Sequence, residues 1–335
     1  MSASALDDRR PLPSPERLRA LIDTLGDGLL ERDTETRLAL LAALAGEHVL
    51  LLGPPGTAKS ELARRLHRAF DGAPYFERLL TRFSTPEELF GPLSLKALEE
   101  DRHERLTAGF LPEAGIAFLD EVFKANSAIL NALLTLLNER EFDNGSGRVR
   151  VPLLSVVGAS NEVPADEALR AFFDRFLVRL PVAPVSEERF EALLRLDERD
   201  SQARSLLQPA PEPGLEAAER EAVRQAATRV ALGEEAVEAL HRLRRWLAAQ
   251  QPAQALSDRR WRQLVDATSG APALLPAGCH GQRQPGRSHE GYAQQCTAGH
   301  LSPAAPGSRA GRPPSGRRPD RHHRRRIHGA GSPLP

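Results

Sequence analysis

Three hundred and thirty-five residues, 41% of them apolar, suffice for two compact domains of about 100–200 residues each, which excludes a small scaffold stapled by disulfides or metals. Basic and acidic side chains number 45 each, yet the balance is a cancellation: residues 1–275 carry 35 Lys and Arg against 43 Asp and Glu, while residues 276–335 carry 10 Arg against Glu290 and Asp320. An acidic body weighs against nucleic-acid binding through a broad basic face; no apolar run approaches the roughly 20 residues of a membrane span, and the start MSASALDDRRPLPSP lacks the apolar stretch of a signal peptide, so the expected compartment is the cytoplasm.

The first 15 residues read as a flexible N-terminus. From Glu16 to Gly46, Leu18, Leu21, Ile22 and Leu25, then Leu38, Leu41 and Leu44, recur at helical spacing and predict two amphipathic helices broken near Gly26–Gly28. The period then changes. His48–Leu52 is a short apolar run entering Gly-Pro-Pro-Gly, the pattern of a buried parallel strand followed by a tight loop, and Ser60–Phe70 predicts the next helix. Further strands are expected at Phe76–Leu80, Ile116–Leu119, Leu153–Ala159 and Phe176–Leu180, with helices such as Ser127–Arg140 between them. This alternation predicts an α/β fold over residues 16–184, a parallel sheet with helices on both faces. After Pro184 only helices are expected: one capped by Ser186 and carrying Phe190, Leu193 and Leu194, then Leu215–Val230 and Glu234–Gln250 beyond a Pro-rich linker at residues 208–214. Residues 185–270 thus form a small all-α region, its last helix ended by Thr268-Ser-Gly-Ala-Pro272. Residues 271–335 should be disordered, since 19 Gly and Pro in the last 60 residues leave no apolar periodicity.

Four motifs carry chemistry. Gly53-Pro54-Pro55-Gly56-Thr57-Ala58-Lys59-Ser60 fits a phosphate-binding loop between a strand and a helix, where backbone N–H groups and the helix dipole face an anion. Lys59 would reach the β- and γ-phosphates of ATP and Ser60 would ligate Mg²⁺; Ala58 departs from the usual glycine. Ile116–Leu119 ends in Asp120 and Glu121, the first suited to Mg²⁺, the second to polarising a water beside the γ-phosphorus; a solvated acidic turn is the bland alternative. Asn161, after the Leu153–Ala159 strand, could sense the γ-phosphate, though asparagine is also simply favoured in turns. Arg175 precedes the strand Phe176–Leu180 and could do no more than pair with Asp174.

GPPGTAKS, TRFSTPEELFGPLSL, ERLTAGFLPEAGIAFLDEVFKAN, NALLTLLNEREF, VVGASNE and SDRRW together resemble the MoxR branch of the AAA+ ATPases, and within it the regulatory ATPase variant A (RavA) subfamily, over residues 15–270. The resemblance implies an AAA+ P-loop NTPase core with a five-stranded parallel sheet, a helical lid and a nucleotide-dependent hexameric ring with ATP sites between subunits. It implies Asn161 as sensor 1, Arg175 as the arginine finger and Arg259 as the lid sensor 2, with Arg260 a rival for that role. It further implies ATP hydrolysis that remodels or helps assemble protein complexes, with a von Willebrand factor A (vWA) domain protein and its client as partners. Pro92–Leu111 corresponds to a helix-2 insert behind a capping box at Thr85-Pro-Glu-Glu88, and residues 142–148 to a hairpin whose Asn-Gly supplies a positive-φ turn.

Two other classes stay open on the residues alone. A nucleic-acid motor or loader would want a basic hairpin, and Arg148 and Arg150 are accompanied by Glu139, Glu141 and Asp143. A nucleotide-binding switch with little hydrolysis would not need Glu121. In the tail, Cys279, His280, His289, Cys296 and His300 lack the compact spacing of a zinc site. The composition there reads instead as out-of-frame GC-rich coding sequence, which predicts an incomplete lid, truncated or frameshifted relative to the resembled family.

Overall fold

A computed structural model describes residues 12–145, 147–164, 166–196, 213–250 and 256–274. Most of the expected flexible start, most of the Pro-rich linker, and the tail from 275 onward with its cysteines, histidines and out-of-frame composition lie outside the described residues.

Five parallel strands form the sheet: β1 (His48–Leu52), β2 (Tyr75–Leu79), β3 (Ile116–Asp120), β6 (Ser155–Ser160) and β7 (Phe176–Pro181), in the order β2-β3-β6-β1-β7. Their side chains alternate between two cores. Val49, Leu51, Ile116 and Phe118 pack with α1 (Pro15–Gly26), α2 (Asp33–Leu44) and α3 (Lys59–Arg68), whereas Leu50, Leu52, Ala117 and Leu119 face α4 (Pro86–Phe90) and α6 (Ser127–Glu139). Burial on both sides is why β1 and β3 read as nearly unbroken apolar runs, whereas the edge strand β2 buries only Phe76. The fold class is therefore the expected one, an α/β P-loop NTPase core, with strand and helix ends shifted by one or two residues.

The capping box at Thr85 is present, and its N–H donates to Glu88 Oε1 at 3.1 Å. The two expected inserts meet. The segment holding α5 (Leu95–Leu98) touches the antiparallel hairpin β4 (Glu141–Asp143) and β5 (Arg148–Arg150) through Arg105 N–H and Asn144 Oδ1, 2.8 Å apart. Asn144 thus serves as a side-chain acceptor, and the positive φ values in this turn fall on Gly145 and Gly147.

After α7 (Glu167–Phe173) and β7 come α8 (Glu187–Leu194), α9 (Ala217–Thr228), α10 (Glu234–Ala249) and α11 (Asp258–Leu274). Ser186 stands at the start of α8, but its N–H and hydroxyl donate to the Glu31 carboxylate and do not cap the helix. Helices α9 and α11 pack on each other and against α2, and Leu215 and Ala267 are buried in the core that α1, α2 and α3 share. The last helix runs through Thr268-Ser-Gly-Ala-Pro272 to Leu274, past the expected stop. Pro272 falls in its final turn, where it has no N–H to give to the helix ladder.

Candidate active site

Strands β1, β6 and β3 lie side by side in register, Leu52 beside Ser160 and Leu119 beside Gly158. One carboxyl edge therefore collects the loop after β1, Asn161 after β6, and Asp120 and Glu121 at the end of β3. Open parallel sheets bind ligands at that edge.

The loop is shaped by its backbone. Gly53 N–H donates to Ser160 O at 3.0 Å, and a Cβ on Gly53 would stand 2.0 Å from Val182 O, so only glycine fits. Positive φ at Gly56 (78°) and Ala58 (63°) turns the chain through Pro54, Pro55 and Thr57 into α3. Left-handed residues of this kind fold successive N–H groups into an anion nest, and the first turn of the ten-residue α3 adds its dipole. Thr57 Oγ1 donates to Pro54 O at 2.9 Å. Buried Arg32 donates through Nε to Thr57 O at 3.3 Å and also binds the Ala183 carbonyl, tying the loop to the chain beyond β7.

Lys59 links the loop to the acidic pair. Its Nζ donates to Gly53 O (2.6 Å), Pro54 O (2.8 Å) and Asn161 Oδ1 (3.3 Å). Asn161 Nδ2 in turn donates to Glu121 Oε1 at 2.6 Å, and Lys124 Nζ lies 3.3 Å from the same oxygen. One amide thus bridges ammonium and carboxylate. Burial lowers the Lys59 pKa below its ordinary value, and the negative charges of Asp120 and Glu121 oppose that shift. Asp120 Oδ1 accepts the Glu121 N–H at 3.0 Å, and Glu121 sits at φ 51°, a conformation strained for a non-glycine residue. Ser60 opens α3 half-buried, as is Asp120. A hydroxyl and a carboxylate are the hard oxygen donors Mg²⁺ takes, and an ammonium with an amide nest suits a polyphosphate, so the residues present fit Mg²⁺ and ATP.

Arg175, Arg259 and Arg260 are not brought to this edge. Arg175 immediately precedes β7, whose Phe176 pairs with His48 at the opposite, amino end of β1. A five-residue strand spans about 16 Å, too far for Arg175 to reach its own chain's phosphate loop. Its pKa is lowered by burial and then by the nearby charge of Arg259, against the pull of Asp174. Arg259 is exposed and donates to Asn138 Oδ1 at 3.2 Å near the end of α6. Arg260 is only 5% exposed and pairs with Asp174 at 3.2 Å.

Two contributors escaped the sequence reading. Arg32 bonds carbonyls 25 and 151 residues away, and nothing local marks it. Lys124 did leave a signal, being one of three lysines against 42 arginines.

Several comparisons bear on this geometry. A crystal structure from Cytophaga hutchinsonii, of a protein whose ATPase activity is itself an assignment, superposes with a TM-score of 0.61 at 18% identity, covering 78% of this chain and 80% of that one. That likeness concerns the fold. An uncharacterized protein from Methanocaldococcus jannaschii is 52% identical over 184 residues, 54% of this chain and 48% of the relative. Protein MoxR from Paracoccus denitrificans is 32% identical over 185 residues, 53% of each chain. The chain spans about half the length of these curated relatives. A family model described as the MoxR domain in the MoxR-vWA-beta-propeller ternary systems matches residues 16–210, so the chain belongs to that MoxR family, within the AAA+ ATPases.

Proposed function

We propose that this protein hydrolyses ATP with Mg²⁺ and uses the cycle to remodel or help assemble protein complexes as a hexameric ring, in the manner of the RavA-like proteins its motifs resemble. The observation that carries the reading is the chain of contacts Lys59–Asn161–Glu121 across adjacent strand ends. Phosphate binding, phosphate sensing and water activation would share one amide. Lys59, folded onto the loop's own carbonyls, would exchange them for phosphate oxygens, and Asn161 would turn toward the γ-phosphate and release Glu121 to accept a proton from the attacking water. Ser60 and Asp120 would hold Mg²⁺, which supplies charge stabilisation to the transferring phosphoryl group. Positioning and electrostatics supply most of such catalysis.

The helices of residues 185–270 serve in this reading as the lid, and the finger comes from a neighbour. Arg175 stands at the edge opposite the phosphate loop, so a ring that sets amino edge against carboxyl edge would deliver it to the next subunit's nucleotide. Arg259, at the same edge, would act with it as sensor 2. The family description of ternary systems supports a vWA protein as partner. An ATP-consuming machine of this kind works where ATP is, in the cytoplasm. Arg148 is paired with Glu139 at 2.8 Å and lies 3.8 Å from Glu141, which weighs against a basic hairpin that grips nucleic acid.

Glu121→Gln tests the reading. The variant should bind ATP as the wild type does and lose nearly all hydrolysis, since loop and metal ligands are untouched. A loss of binding as deep as that of Lys59→Ala would refute the role given to Glu121.

A further inference from the structure

Helix α11, the last of the described residues, reaches into the segment that carries Arg175, and Arg260 makes a connection. Arg260, in the first turn of α11, has its guanidinium buried against the end of α7 and the start of β7. Nη1 lies 3.2 Å from Asp174 Oδ1, and Nη2 donates to the carbonyls of Phe176 and Leu177, each at 3.4 Å. These partners bracket Arg175, one on its amino side and two beyond it. Arg179 reinforces the hold from β7, donating to Phe173 O (3.0 Å) and Phe176 O (3.2 Å), with its guanidinium carbon 3.7 Å above the Phe173 ring. The surroundings are dry enough that burial, with the Arg260 charge beside it, brings the Arg179 pKa down to about 9. Buried in this way, Arg260 has no route to a nucleotide. Strand β7 is an edge strand, so carbonyls at its start are open to a donor from outside the sheet.

We propose that Arg260 is a positioning residue for the arginine finger, clamping Asp174 and the start of β7 so that Arg175 is presented at a fixed place, and thereby making hydrolysis in the neighbouring subunit depend on where α11 is docked. The proposal rests on the finger reading of Arg175. It gives Arg260 a task different from sensing its own nucleotide: any displacement of the last described helix, by a partner or by the chain that follows it, would withdraw three of the bonds that hold the finger segment. The Asp174 carboxylate is shared with Arg179 at 3.5 Å, so loss of Arg260 leaves a paired but reoriented carboxylate, and a graded loss of activity is expected.

The experiment compares steady-state ATPase of the full chain for Arg260→Met, Asp174→Asn, Arg175→Ala and the double variant Arg260→Met/Arg175→Ala, with nucleotide affinity and thermal melting measured on each. Methionine keeps the volume of the buried stem, and Asp174→Asn breaks the pair from the other side should Arg260→Met fail to fold. Both single variants should lower kcat about tenfold with KM and nucleotide affinity within about twofold, and the double variant should be no slower than Arg175→Ala, because a positioning residue has nothing left to position. Arg175→Ala with wild-type kcat would overturn the finger reading itself. A slow Arg175→Ala beside Arg260→Met and Asp174→Asn at wild-type kcat would overturn the clamp alone, as would a double variant falling well below Arg175→Ala.

Discussion

Ala58 and Glu121 are non-glycine residues held at φ of 63° and 51° within the candidate site. A Cβ in the left-handed region costs about 1–2 kcal/mol, and such strain persists only where surrounding contacts fix the backbone. For Glu121 those contacts are the Asp120 carboxylate on its N–H and the Asn161 amide on its side chain. For Ala58 they are the turn at Gly56 and the start of α3, so replacing its methyl should release strain without disturbing a contact. Glycine also adds freedom to the unfolded chain, worth about 0.5–1 kcal/mol in the other direction. Ala58→Gly should therefore stabilise the protein by about 0.5–1 kcal/mol in denaturant unfolding; a lower midpoint would mean that the methyl is packed rather than strained.

At the scale of elements, β1 is anchored at both ends by groups of opposite exposure to water. Its carboxyl end opens into the phosphate loop, while its first residue, His48, is buried with both ring nitrogens engaged: Nε2 donates to Leu137 O at 3.2 Å and Nδ1 accepts from Val156 N–H at 3.0 Å. The ring thus ties β1 to β6 and to the end of α6, and it must be neutral to do so. Burial, then the nearby Arg140 charge, pushes its pKa well below 6.5. The folded state refuses a proton that the unfolded chain accepts, so this contribution is fully present above the unfolded pKa near 6.5 and is lost as pH falls toward the folded value. Between pH 6.5 and 5.5 the single group should remove up to about 1 kcal/mol of stability. Urea unfolding of the wild type and of His48→Gln over that interval checks it: the wild type should show the steeper decline, and equal slopes would exclude His48 as the cause.

The two clusters of charged side chains described above stand at opposite edges of one sheet. The carboxyl edge holds Asp120 and Glu121 beside Lys59, and the amino edge gathers Arg175, Arg179, Arg259 and Arg260 near Asp174. Separation by about a strand's length means that neither edge can complete the other within one chain. If the site is finished between subunits, Arg175→Ala should bind nucleotide normally yet hydrolyse about a thousandfold more slowly. Mixing it with the Lys59→Ala protein should restore part of the activity, since a ring then contains intact loops facing intact fingers. Mixed samples no faster than their components would place Arg175 in its own subunit or in a structural role.

The sequence by itself determined what short-range patterning controls. Short, mostly apolar runs marked the strands, Gly53 to Ser60 marked the loop, and Asp120, Glu121 and Asn161 were legible because each stands at or just beyond the end of such a run. Strand register then places them on one edge almost automatically, since parallel strands leave a sheet at the same side. What the tertiary structure decided depends on contacts between distant segments: Arg32 on the loop, Asn161 joining Lys59 to Glu121, and Arg260 turned inward while its neighbour Arg259 faces solvent. Residues 259 and 260 are the same amino acid, one helical step apart. Only the packing of α11 against β7 makes one a buried clamp and leaves the other exposed, bonded to Asn138, because about 100° of rotation around a helix separates the core from water.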